Sequence, residues 1–472
     1  MLRCCCSCPT ATRASSSLAL VARSFSPSRS PYASSSSPLC PASAPTLRQS
    51  HPLGPRHHHQ HQDQQQRRAF SDEQLFRTQH GQIRVNLKAK GAVGVAQSRG
   101  ERPYQEDAYA VRSLALPQSA LRWNVVDDRL GTGWVPQTRE GFDGEEPAPG
   151  QEGDEEGGRR RQVAYFGVFD GHGGDYTSKY LASSLHRLLE DSTSPTEIAP
   201  VIDEYRALGG YLKRYRGGPL DRFRPESDAF VEHKGMALDE VAVLAFLKAD
   251  THVVSHPDKF PKSGSTATVA LLHSLDVPYS YPYYASSLLS LTVAHLGDTT
   301  ALLASSAGGR AHRLTQAHHA DSRTESERLR TSGTGIITDS FGESRWGGVV
   351  ANTRAVGDRE FKPVGVIAEP EIVKRVLRGP EWSFLLLCSD GVTDAISDQE
   401  IVDLCRGIKD PERAARKVVS FAEDVGAEDN LTCVVVPLPG WGKLGGLDST
   451  QSRREYRLRG AQGVGSGRQK RM

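Results

Sequence analysis

The pattern of apolar and polar positions divides the middle of the chain into short strands and amphipathic helices. Runs of β-prone apolar residues predict strands at 93–97, 107–111, 163–169, 264–272, 288–296, 300–304, 371–377, 383–387 and 431–437. Apolar residues repeated at helical spacing predict helices at 175–190, 238–254, 324–331, 398–407 and 412–425. Because the helices fall in groups rather than alternating strictly with the strands, the pattern favours an α+β layered domain over a doubly wound parallel sheet.

Several segments show neither period. Residues 71–92 form a polar lead-in to a single domain predicted for 93–438. Two stretches inside that domain, near 131–161 and 192–232, are rich in Gly, Pro and charged residues, and we interpret both as insertions. The Gly- and Arg-rich end, 439–472, is predicted to be a disordered basic tail.

Residues 1–70 have the composition of a mitochondrial transit peptide. The first 62 residues contain no Asp or Glu, while arginines are scattered among Ser, Pro and Ala. A cationic segment of this kind is drawn toward a negatively polarised matrix, whereas a secretory signal would need a compact apolar region that is absent here. Residues 67–71, Arg-Arg-Ala-Phe-Ser, predict cleavage after Phe70. The alternative is a disordered basic tail without a targeting role.

The composition of the chain limits the size of its core, the chance of a membrane span and the role of its cysteines. With 472 residues, of which 37% are hydrophobic and 24% charged, the chain can bury one large core or two modest ones. No apolar run is long enough to span a bilayer. Five of the 8 cysteines lie in the predicted transit peptide, while Cys388, Cys405 and Cys433 lie in apolar runs and are predicted to be small core residues. Any metal must then be held by oxygen.

Acidic residues stand at the ends of three apolar runs. Residues 163–174 end in Asp-Gly-His-Gly-Gly, 385–391 end in Ser-Asp-Gly, and 428–436 begin with Glu-Asp-Asn. Glycines at 171, 173 and 174 leave the main-chain carbonyls accessible to a ligand or metal. Three strand ends that present carboxylates indicate one shared site.

The chemistry follows from the number of acids. The carboxylates at strand ends or turns are Asp107, Asp170, Asp390 and Asp429, with Glu106, Asp298 and Asp394 close to similar ends. If they converge, they repel one another unless divalent cations lie between them, and all-oxygen ligation suits Mg²⁺ or Mn²⁺ rather than zinc. Two such ions can activate a bridging water for phosphoester hydrolysis. Arg102 could bind the phosphate and His172 could donate a proton to the leaving alkoxide, although each residue taken singly is more often a surface group.

These motifs resemble those of the type 2C, metal-dependent protein serine/threonine phosphatases and occur in that family's order. The resemblance covers about 93–437. Its motifs are 102–108 (Arg-Pro-Tyr-Gln-Glu-Asp-Ala), 169–174 (Phe-Asp-Gly-His-Gly-Gly), 264–267 (Gly-Ser-Thr-Ala), 296–298 (Leu-Gly-Asp), 353–358 (Thr-Arg-Ala-Val-Gly-Asp), 388–394 (Cys-Ser-Asp-Gly-Val-Thr-Asp) and 428–430 (Glu-Asp-Asn). Residues 316–320, Gln-Ala-His-His-Ala, depart from the Asp-His or Asp-Asn pair followed by Pro that many members have.

The resemblance implies a four-layer α-β-β-α sandwich with two central antiparallel sheets and a metal site at one end. It implies catalytic roles for His172, as the acid, and Arg102, as the phosphate ligand. The implied metal ligands are Asp107, Asp170, the carbonyl of Gly171, Asp390 and Asp429, with Glu106 acting through water and Asp298 and Asp394 at a third, weaker metal. The expected protein is a monomer that hydrolyses phosphoserine and phosphothreonine in the mitochondrial matrix, as in the fungal mitochondrial branch, with the pyruvate dehydrogenase complex as one possible substrate.

Four other functions are weighed against this expectation. A catalytically silent relative that acts as a binding or regulatory module would have lost a ligand carboxylate, and none is lost. A serine hydrolase would need a Gly-x-Ser-x-Gly elbow, which does not occur. The other metallophosphatase family would need Gly-Asp-x-His-Gly and Gly-Asn-His-Glu, which are also absent. Nucleic-acid binding is not expected, because the basic residues concentrate in the two tails without interleaved aromatics.

Overall fold

Two five-stranded antiparallel sheets form the centre of the structure, which is a computed structural model. It describes residues 72–78, 81–121, 160–208, 217–225, 227, 230, 235–276, 281–329, 336–338, 344–346, 348 and 350–463. The predicted transit peptide, 1–70, and most of the insertion near 131–161 lie outside the described residues.

The strands follow each other along the chain in short runs. They are β1 (Glu73–Thr78), β2 (Gly81–Asn86), β3 (Gly94–Ser98), β4 (Ala108–Pro117), β5 (Arg160–Phe169), β6 (Gly171–His172), β7 (Gly264–Ser265), β8 (Ala267–Ser274), β9 (Leu288–Leu296), β10 (Thr300–Ser305), β11 (Ala311–Arg313), β12 (Ile336–Thr338), β13 (Ser344–Trp346), β14 (Val356–Gly357), β15 (Glu371–Arg378), β16 (Trp382–Cys388) and β17 (Leu431–Pro437). One large sheet has the order β11-β10-β16-β17-β3 and the other β15-β9-β8-β5-β4. Three smaller sheets are β1-β2, β12-β13 and β14-β7-β6.

Helices cover the outer faces of both large sheets. They are α1 (Tyr176–Asp191), α2 (Ile198–Ala207), α3 (Leu238–Ser255), α4 (Arg323–Leu329), α5 (Asp390–Ala395), α6 (Asp398–Leu404), α7 (Pro411–Asp424) and α8 (Gln451–Gly463). Helices α1, α2 and α3 share a buried apolar cluster with the sheet that contains β5, and α6 and α7 share another with the sheet that contains β16. The predicted α-β-β-α sandwich is therefore confirmed.

Strand β5 shows why a continuous apolar run is needed between these layers. Tyr165 and Phe169 point into the cluster with the helices, while Phe166 and Val168 point into the cluster between the two sheets. Alternate residues of a strand face opposite sides of its sheet, so a strand covered on both faces must be apolar at every position. β5 begins at Arg160, opposite Pro117 of β4, which makes the basic end of the predicted insertion part of the strand.

The prediction of a disordered tail from 439 onward is wrong for the described residues. Helix α8 follows a loop that Arg406 fixes by donating hydrogen bonds to the carbonyls of Leu444, Gly445 and Gly446 at 3.1, 2.6 and 3.1 Å. In α8 itself, Arg457 pairs with Glu400 at 3.3 Å. Composition indicated disorder because this segment has few apolar residues. Its order comes from arginine contacts with distant parts of the chain and from Trp441, Leu444 and Leu458, which pack against the apolar cluster beneath α6 and α7.

Part of the predicted insertion near 192–232 packs into the main core. In α2, Ile198, Ile202 and Tyr205 are buried, and Leu220 follows in a short 3₁₀ helix (Gly218–Phe223). These apolar positions have helical spacing, but the surrounding Pro, Gly and charged residues concealed the pattern. This part of the segment is an integral element of the helical layer.

Two smaller features complete the fold. The lead-in contains the β1–β2 hairpin, which the sequence pattern did not predict. Cys388, Cys405 and Cys433 are buried and unpaired, as predicted. Among the helices of the described residues, none combines the length and the apolar character that a membrane span requires.

Candidate metal centre

Strand register brings the ends of β4 and β5 to the same edge of their sheet. Ala108 lies opposite Phe169 in this antiparallel pair. Asp107 immediately precedes β4 and Asp170 immediately follows β5, so the two carboxylates lie side by side. The sequence analysis placed Asp170 at the end of a buried strand, and pairing of that strand with β4 brings Asp107 next to it.

The second large sheet places its acids at the same end of the sandwich. Strand β16 ends at Cys388, which lies opposite Cys433 of β17. Asp390, two residues beyond β16, is therefore close to Asp429, which precedes β17. Strand β10 begins opposite the end of β16, so the β9–β10 turn with Asp298 also lies here.

Asp107 connects the two sheets through hydrogen bonds. Its Oδ2 atom accepts from Ser389 Oγ at 2.7 Å and from Thr432 Oγ1 at 2.8 Å. Ser389 directly follows β16 and Thr432 lies in β17, whereas Asp107 leads into β4 of the other sheet. These contacts fix the buried carboxylate beside the other acids.

The tightest acidic cluster consists of Asp170, Asp298 and Asp390. Each offers an oxygen within 4.8 Å of the oxygens offered by the other two. The resemblance assigned Asp298 to a third, weaker metal, whereas the structure places it beside Asp170 and Asp390. At Gly171 a Cβ atom would collide with the carbonyl of Glu106, so a glycine is required where the chain leaves the cluster.

Burial, with a further contribution from neighbouring charges, raises the pKa values of Asp107, Asp170 and Asp390. Burial, followed by the charge of Asp298, raises the pKa of Asp390 to about 7. Burial raises the pKa of Asp107 to about 6, although two hydroxyl hydrogen bonds oppose the shift. Burial together with the charges of Asp390 and Asp107 raises the pKa of Asp170 well above its ordinary value. A cation between these carboxylates would favour their ionised forms and so lower these pKa values.

The oxygens of this group fit a divalent cation. Asp107 Oδ1 and Asp298 Oδ1 are buried and have no hydrogen-bond partner among the described residues. A buried acceptor without a partner is costly, and coordination to a cation removes that cost. Because the clustered groups are carboxylates, they suit a hard ion such as Mg²⁺ or Mn²⁺ better than zinc.

Residues 316–320, which depart from the resembled motifs, supply partners to the turn that carries Asp298. His318 Nδ1 accepts a hydrogen bond from Gly297 N at 3.0 Å. His319 Nε2 lies 3.4 Å from Asp298 Oδ2, which also accepts from Asn352 Nδ2 at 2.7 Å. Burial opposes ionisation, but the hydrogen bonds from His319 and Asn352 lower the pKa of Asp298. The departure therefore helps to keep this acid charged.

Arg102, Asp429 and Glu106 lie around the cluster. Arg102 Nη2 donates to Asp429 Oδ2 at 2.7 Å, and both side chains are partly exposed. Glu106 Oε1 accepts from the main-chain N–H of Gly174 at 2.6 Å, which ties this acid to the glycine-rich turn. The predicted phosphate-binding arginine thus lies at the solvent-exposed rim, where an incoming phosphate could reach it.

Asp394 has the most peripheral position of the predicted residues. It is exposed on α5, one helical turn after Asp390. Its charge contributes to the raised pKa of Asp390, after burial and the charge of Asp298. It therefore acts on the cluster through its electric field in this structure.

Asn430 is a site residue to which the sequence analysis gave no role. Its Oδ1 accepts from Glu106 N at 2.7 Å, and its Nδ2 donates to the carbonyls of Arg99 at 2.9 Å and Tyr104 at 3.0 Å. One buried amide thus holds the whole loop that carries Arg102 and Glu106. Its position beside Asp429 was the available signal, since an amide at a strand end can satisfy several main-chain groups at once.

His172 is paired with an acid that the sequence analysis did not assign. Its Nε2 lies 2.8 and 2.9 Å from the two carboxylate oxygens of Asp358. Partial desolvation of the ring, whose side chain is 46% exposed, opposes protonation, but the charge and hydrogen bond of Asp358 raise the pKa of His172 above its ordinary value. A Cβ at Gly264 would collide with both side chains, so the Gly264 motif provides space for this pair.

A buried ion pair between Asp250 and Lys362 holds the backbone next to Asp358 in place. Asp250 Oδ1 accepts from Gly357 N at 2.8 Å, and its Oδ2 lies 2.8 Å from Lys362 Nζ. Lys362 also donates to the carbonyl of Ala355 at 2.8 Å. These contacts fix the segment that presents Asp358 to His172.

The fold and this centre define an α+β sandwich protein with a cluster of carboxylates suited to hard divalent cations, and comparison with known proteins identifies its family. A family model described as protein phosphatase 2C matches residues 140–431. Protein phosphatase 2C homolog 4 of Schizosaccharomyces pombe is 36% identical over 295 residues, which are 61% of this chain and 75% of that protein. Protein phosphatase 1K, mitochondrial, of Xenopus laevis is 31% identical over 282 residues, 60% of this chain and 62% of that protein. A crystal structure of a Toxoplasma gondii phosphatase has a TM-score of 0.48 and 20% identity, covering 74% of this chain and 92% of that one.

The family match covers more than half of the chain, and this chain belongs to the protein phosphatase 2C family. It is a protein serine/threonine phosphatase. The matched stretch starts after β4, yet β3 and β4 are full members of the two central sheets. The residues from Arg102 to Asp107 therefore belong to the same domain as the matched segment.

Proposed function

We propose that this chain hydrolyses phosphoserine and phosphothreonine in proteins with two Mg²⁺ or Mn²⁺ ions. The ligands would be the carboxylates of Asp107, Asp170, Asp390 and Asp429 and the main-chain carbonyl of Gly171. When bound, the ions supply Lewis acidity that activates a bridging water for attack on phosphorus and neutralises the phosphate oxygens. A third, weaker ion would involve Asp298 and Asp394, with Asp298 already adjacent to Asp170 and Asp390.

The remaining roles belong to side chains at the rim. Arg102 exchanges Asp429 for the substrate phosphate, which its planar guanidinium can bind through two parallel hydrogen bonds. Glu106 accepts from Gly174 N and orients the glycine-rich turn, while its second oxygen can bind an ordered water. His172, whose proton is stabilised by Asp358, donates that proton to the leaving alkoxide.

One observation carries this proposal. Asp170, Asp298 and Asp390 lie within 4.8 Å of one another at the end of the sandwich, where burial and repulsion raise the pKa values of Asp170 and Asp390. Such an arrangement costs stability in the metal-free protein. A divalent cation converts that cost into a binding site, so the cluster is better explained by metal binding than by folding.

The test is a metal-dependence assay on the full-length chain. The protein is stripped with a chelator, dialysed and supplied with phosphoseryl and phosphothreonyl peptides. Phosphate release is expected only after Mn²⁺ or Mg²⁺ is added, because the carboxylates alone cannot activate water or bind the phosphate dianion. Undiminished turnover in excess EDTA would contradict the proposal.

The proposed location is the mitochondrial matrix, with phosphorylated matrix enzymes as substrates. Support comes from the acid-free, arginine-containing segment 1–62 and from the name of the Xenopus relative, which describes that protein as mitochondrial. The pyruvate dehydrogenase complex is one candidate substrate. A fluorescent reporter fused to residues 1–75 is expected to enter mitochondria, and a cytosolic distribution would overturn the location. A comparison of matrix phosphoproteins with and without this chain would identify the substrate.

A further inference from the structure

A cavity of about 450 Å³ lies next to the His172–Asp358 pair. One wall is the end of α3 and the turn after it, and the other is the segment that begins at Gly357. Its lining includes the apolar side chains of Val253, Val254 and Phe260 and the charged residues Lys262, Asp358 and Arg359. None of the acids that we assign to metal binding lines it.

The cavity nevertheless shares its walls with the candidate metal centre. Asp358 lines the cavity and also contacts His172, which is two residues from Asp170. On the opposite wall, Ser263 Oγ donates to the carbonyl of Gly174 at 3.1 Å, so the turn behind the cavity also supports the glycine-rich turn. Asp358 and Ser263 therefore connect the cavity with the two residues, His172 and Gly174, that belong to the glycine-rich turn beside Asp170.

The two walls are held in uncommon backbone conformations. Of the described residues other than glycine, those with positive φ are Lys262 (52°) and Asp358 (49°), one on each wall. Asp358 N approaches the carbonyl of Ser263 at 3.4 Å, and Gly357 N is held by buried Asp250 at 2.8 Å. Such conformations cost free energy and persist only where surrounding contacts enforce them, which is typical of functional sites.

The chemistry of the cavity is apolar inside and charged at the exposed edge. Val253, Val254 and Phe260 provide apolar surface, while Lys262 and Arg359 are exposed at the edge. Within the described part of the chain, no ion pair is formed by either cation. Glu360 is exposed at the same edge and Asp358 is paired with His172, so the two cations outnumber the one exposed acid there. An apolar interior favours an aliphatic or aromatic side chain, and the net positive charge at the edge favours a neighbouring acid.

We propose that this cavity binds a large apolar side chain of the phosphoprotein substrate, close in sequence to the phosphorylated residue, and that Lys262 and Arg359 favour an adjacent acid. An extended peptide advances about 3.3 Å per residue, so a side chain two or three positions from the phosphorylated residue can reach past His172. The occupant is the substrate because Asp358, which lines the cavity, also contacts His172 beside the candidate metal centre. This inference rests on the proposed catalytic role of the adjacent metal centre.

The first experiment measures side-chain preference with the full-length, Mn²⁺-loaded protein. A set of phosphothreonyl peptides carries Leu, Phe, Ala or Glu at each position within three residues of the phosphothreonine. We expect kcat/KM to be roughly tenfold or more higher for Leu or Phe than for Ala at one position, the range found for burying an apolar side chain. A flat profile at every position would overturn the inference.

The second experiment assigns that preference to the cavity. Pro261→Trp narrows the cavity from an exposed position, and Arg359→Glu reverses one edge charge. The readout is the ratio of kcat/KM for the best peptide to kcat/KM for p-nitrophenyl phosphate, which is too small to reach the cavity and corrects for the folded, metal-loaded fraction. We expect Pro261→Trp to remove the apolar preference and Arg359→Glu to remove the preference for an acid.

The control variant is Leu447→Ala, which changes an exposed apolar residue outside the cavity and should leave the ratio unchanged. A preference that survives both cavity variants would assign it to another surface and overturn the inference. A concentration-dependent dimer that is lost in Pro261→Trp would assign the cavity to a second copy, with the same consequence. If wild-type protein with Mn²⁺ fails to hydrolyse even p-nitrophenyl phosphate, the proposed catalytic role fails first, and the two failures are thus distinguished.

Discussion

Two groups of buried acids in this molecule differ in how the negative charge of their carboxylates is compensated. Glu325 is fully buried, yet Arg354 lies 2.6 Å and Arg328 2.7 Å from its two oxygens. Burial opposes ionisation, but these arginines, above all Arg354, lower the pKa of Glu325 to about 2. The chain itself supplies the cations, and the carboxylate stays charged.

Among the described residues, no arginine or lysine forms an ion pair with the buried carboxylates of Asp107, Asp170 and Asp390 at the ends of the central strands. Burial and repulsion raise the pKa of Asp107 to about 6 and that of Asp390 to about 7. Arg102 contacts Asp429 at the exposed rim rather than the buried cluster. The difference teaches that buried carboxylates left without cations of their own are evidence for an external cation, whereas paired ones are evidence for structure.

The largest expected effect comes from Asp170→Asn. Phosphopeptide turnover should fall on the order of a thousandfold or more, because one of the carboxylates proposed to bind the two metal ions loses its charge. The same change should leave the metal-free protein equally or more stable, because it removes one of several repelling charges. Turnover and the melting temperature in EDTA check the two parts.

The matched control for this prediction is Asp424→Asn, at an exposed position at the end of α7. It should change neither turnover nor melting temperature. A strong loss of metal-free stability in Asp170→Asn would mean that Asp170 serves the fold, and the contrast with Glu325 would disappear.

Glu325→Gln should have the opposite profile. Removing one partner of a buried ion pair leaves Arg328 and Arg354 uncompensated, which costs about 3–5 kcal/mol of unfolding free energy. Denaturant unfolding measures this loss. Glu327→Gln, which breaks an exposed pair with Arg323, should cost less than about 1 kcal/mol. Equal losses of unfolding free energy in the two variants would show that the buried pair contributes no more to stability than the exposed one.

A smaller catalytic effect is expected from His172→Gln. Hydrolysis of phosphoseryl peptides should slow by about 10²-fold, a typical loss for a general acid. Activated aryl phosphates should be affected much less, since their leaving groups need no proton. Parallel rate measurements on both substrate types give the answer. Equal losses would remove His172 from the acid role and leave Asp358 without a catalytic partner.

The pH dependence of stability gives the smallest and most specific signal. The pKa of Glu325 is lowered from 4.5 to about 2, so its contribution is fully present above the ordinary value and is lost as pH falls toward the folded value. The difference in unfolding free energy between wild type and Glu325→Gln should therefore shrink between about pH 4.5 and 2. A difference that stays constant over this range would show that Glu325 is not held ionised by its arginines.

The acids at strand ends could be predicted from the sequence because local pattern and site coincide there. Where an apolar run stops at an acid, the same pattern predicts both the end of the strand and the position of the carboxylate, as at Asp170 and Asp390. Asp358 and Asn430 could not be assigned in the same way, because their roles depend on partners more than a hundred residues distant, His172 and the Arg99–Glu106 loop.

The errors in the fold have a similar origin. Helix α8 contains few apolar residues, and its order depends on the packing of Leu458 and on the pair of Arg457 with Glu400, which lies 57 residues earlier in the chain. Ion pairs between distant segments leave no period in the sequence. Helix α2 did carry a period, but Pro and Gly on both sides masked it, so a strict test for spacing would have found Ile198, Ile202 and Tyr205.

The central claim is that the buried carboxylates hold a pair of divalent cations. The most direct measurement is an anomalous difference map from crystals of the protein soaked in Mn²⁺. We predict two peaks about 3.5–4 Å apart, enclosed by the carboxylates of Asp107, Asp170, Asp390 and Asp429. A map with no manganese between these acids, or with a single ion elsewhere on the surface, would contradict the account.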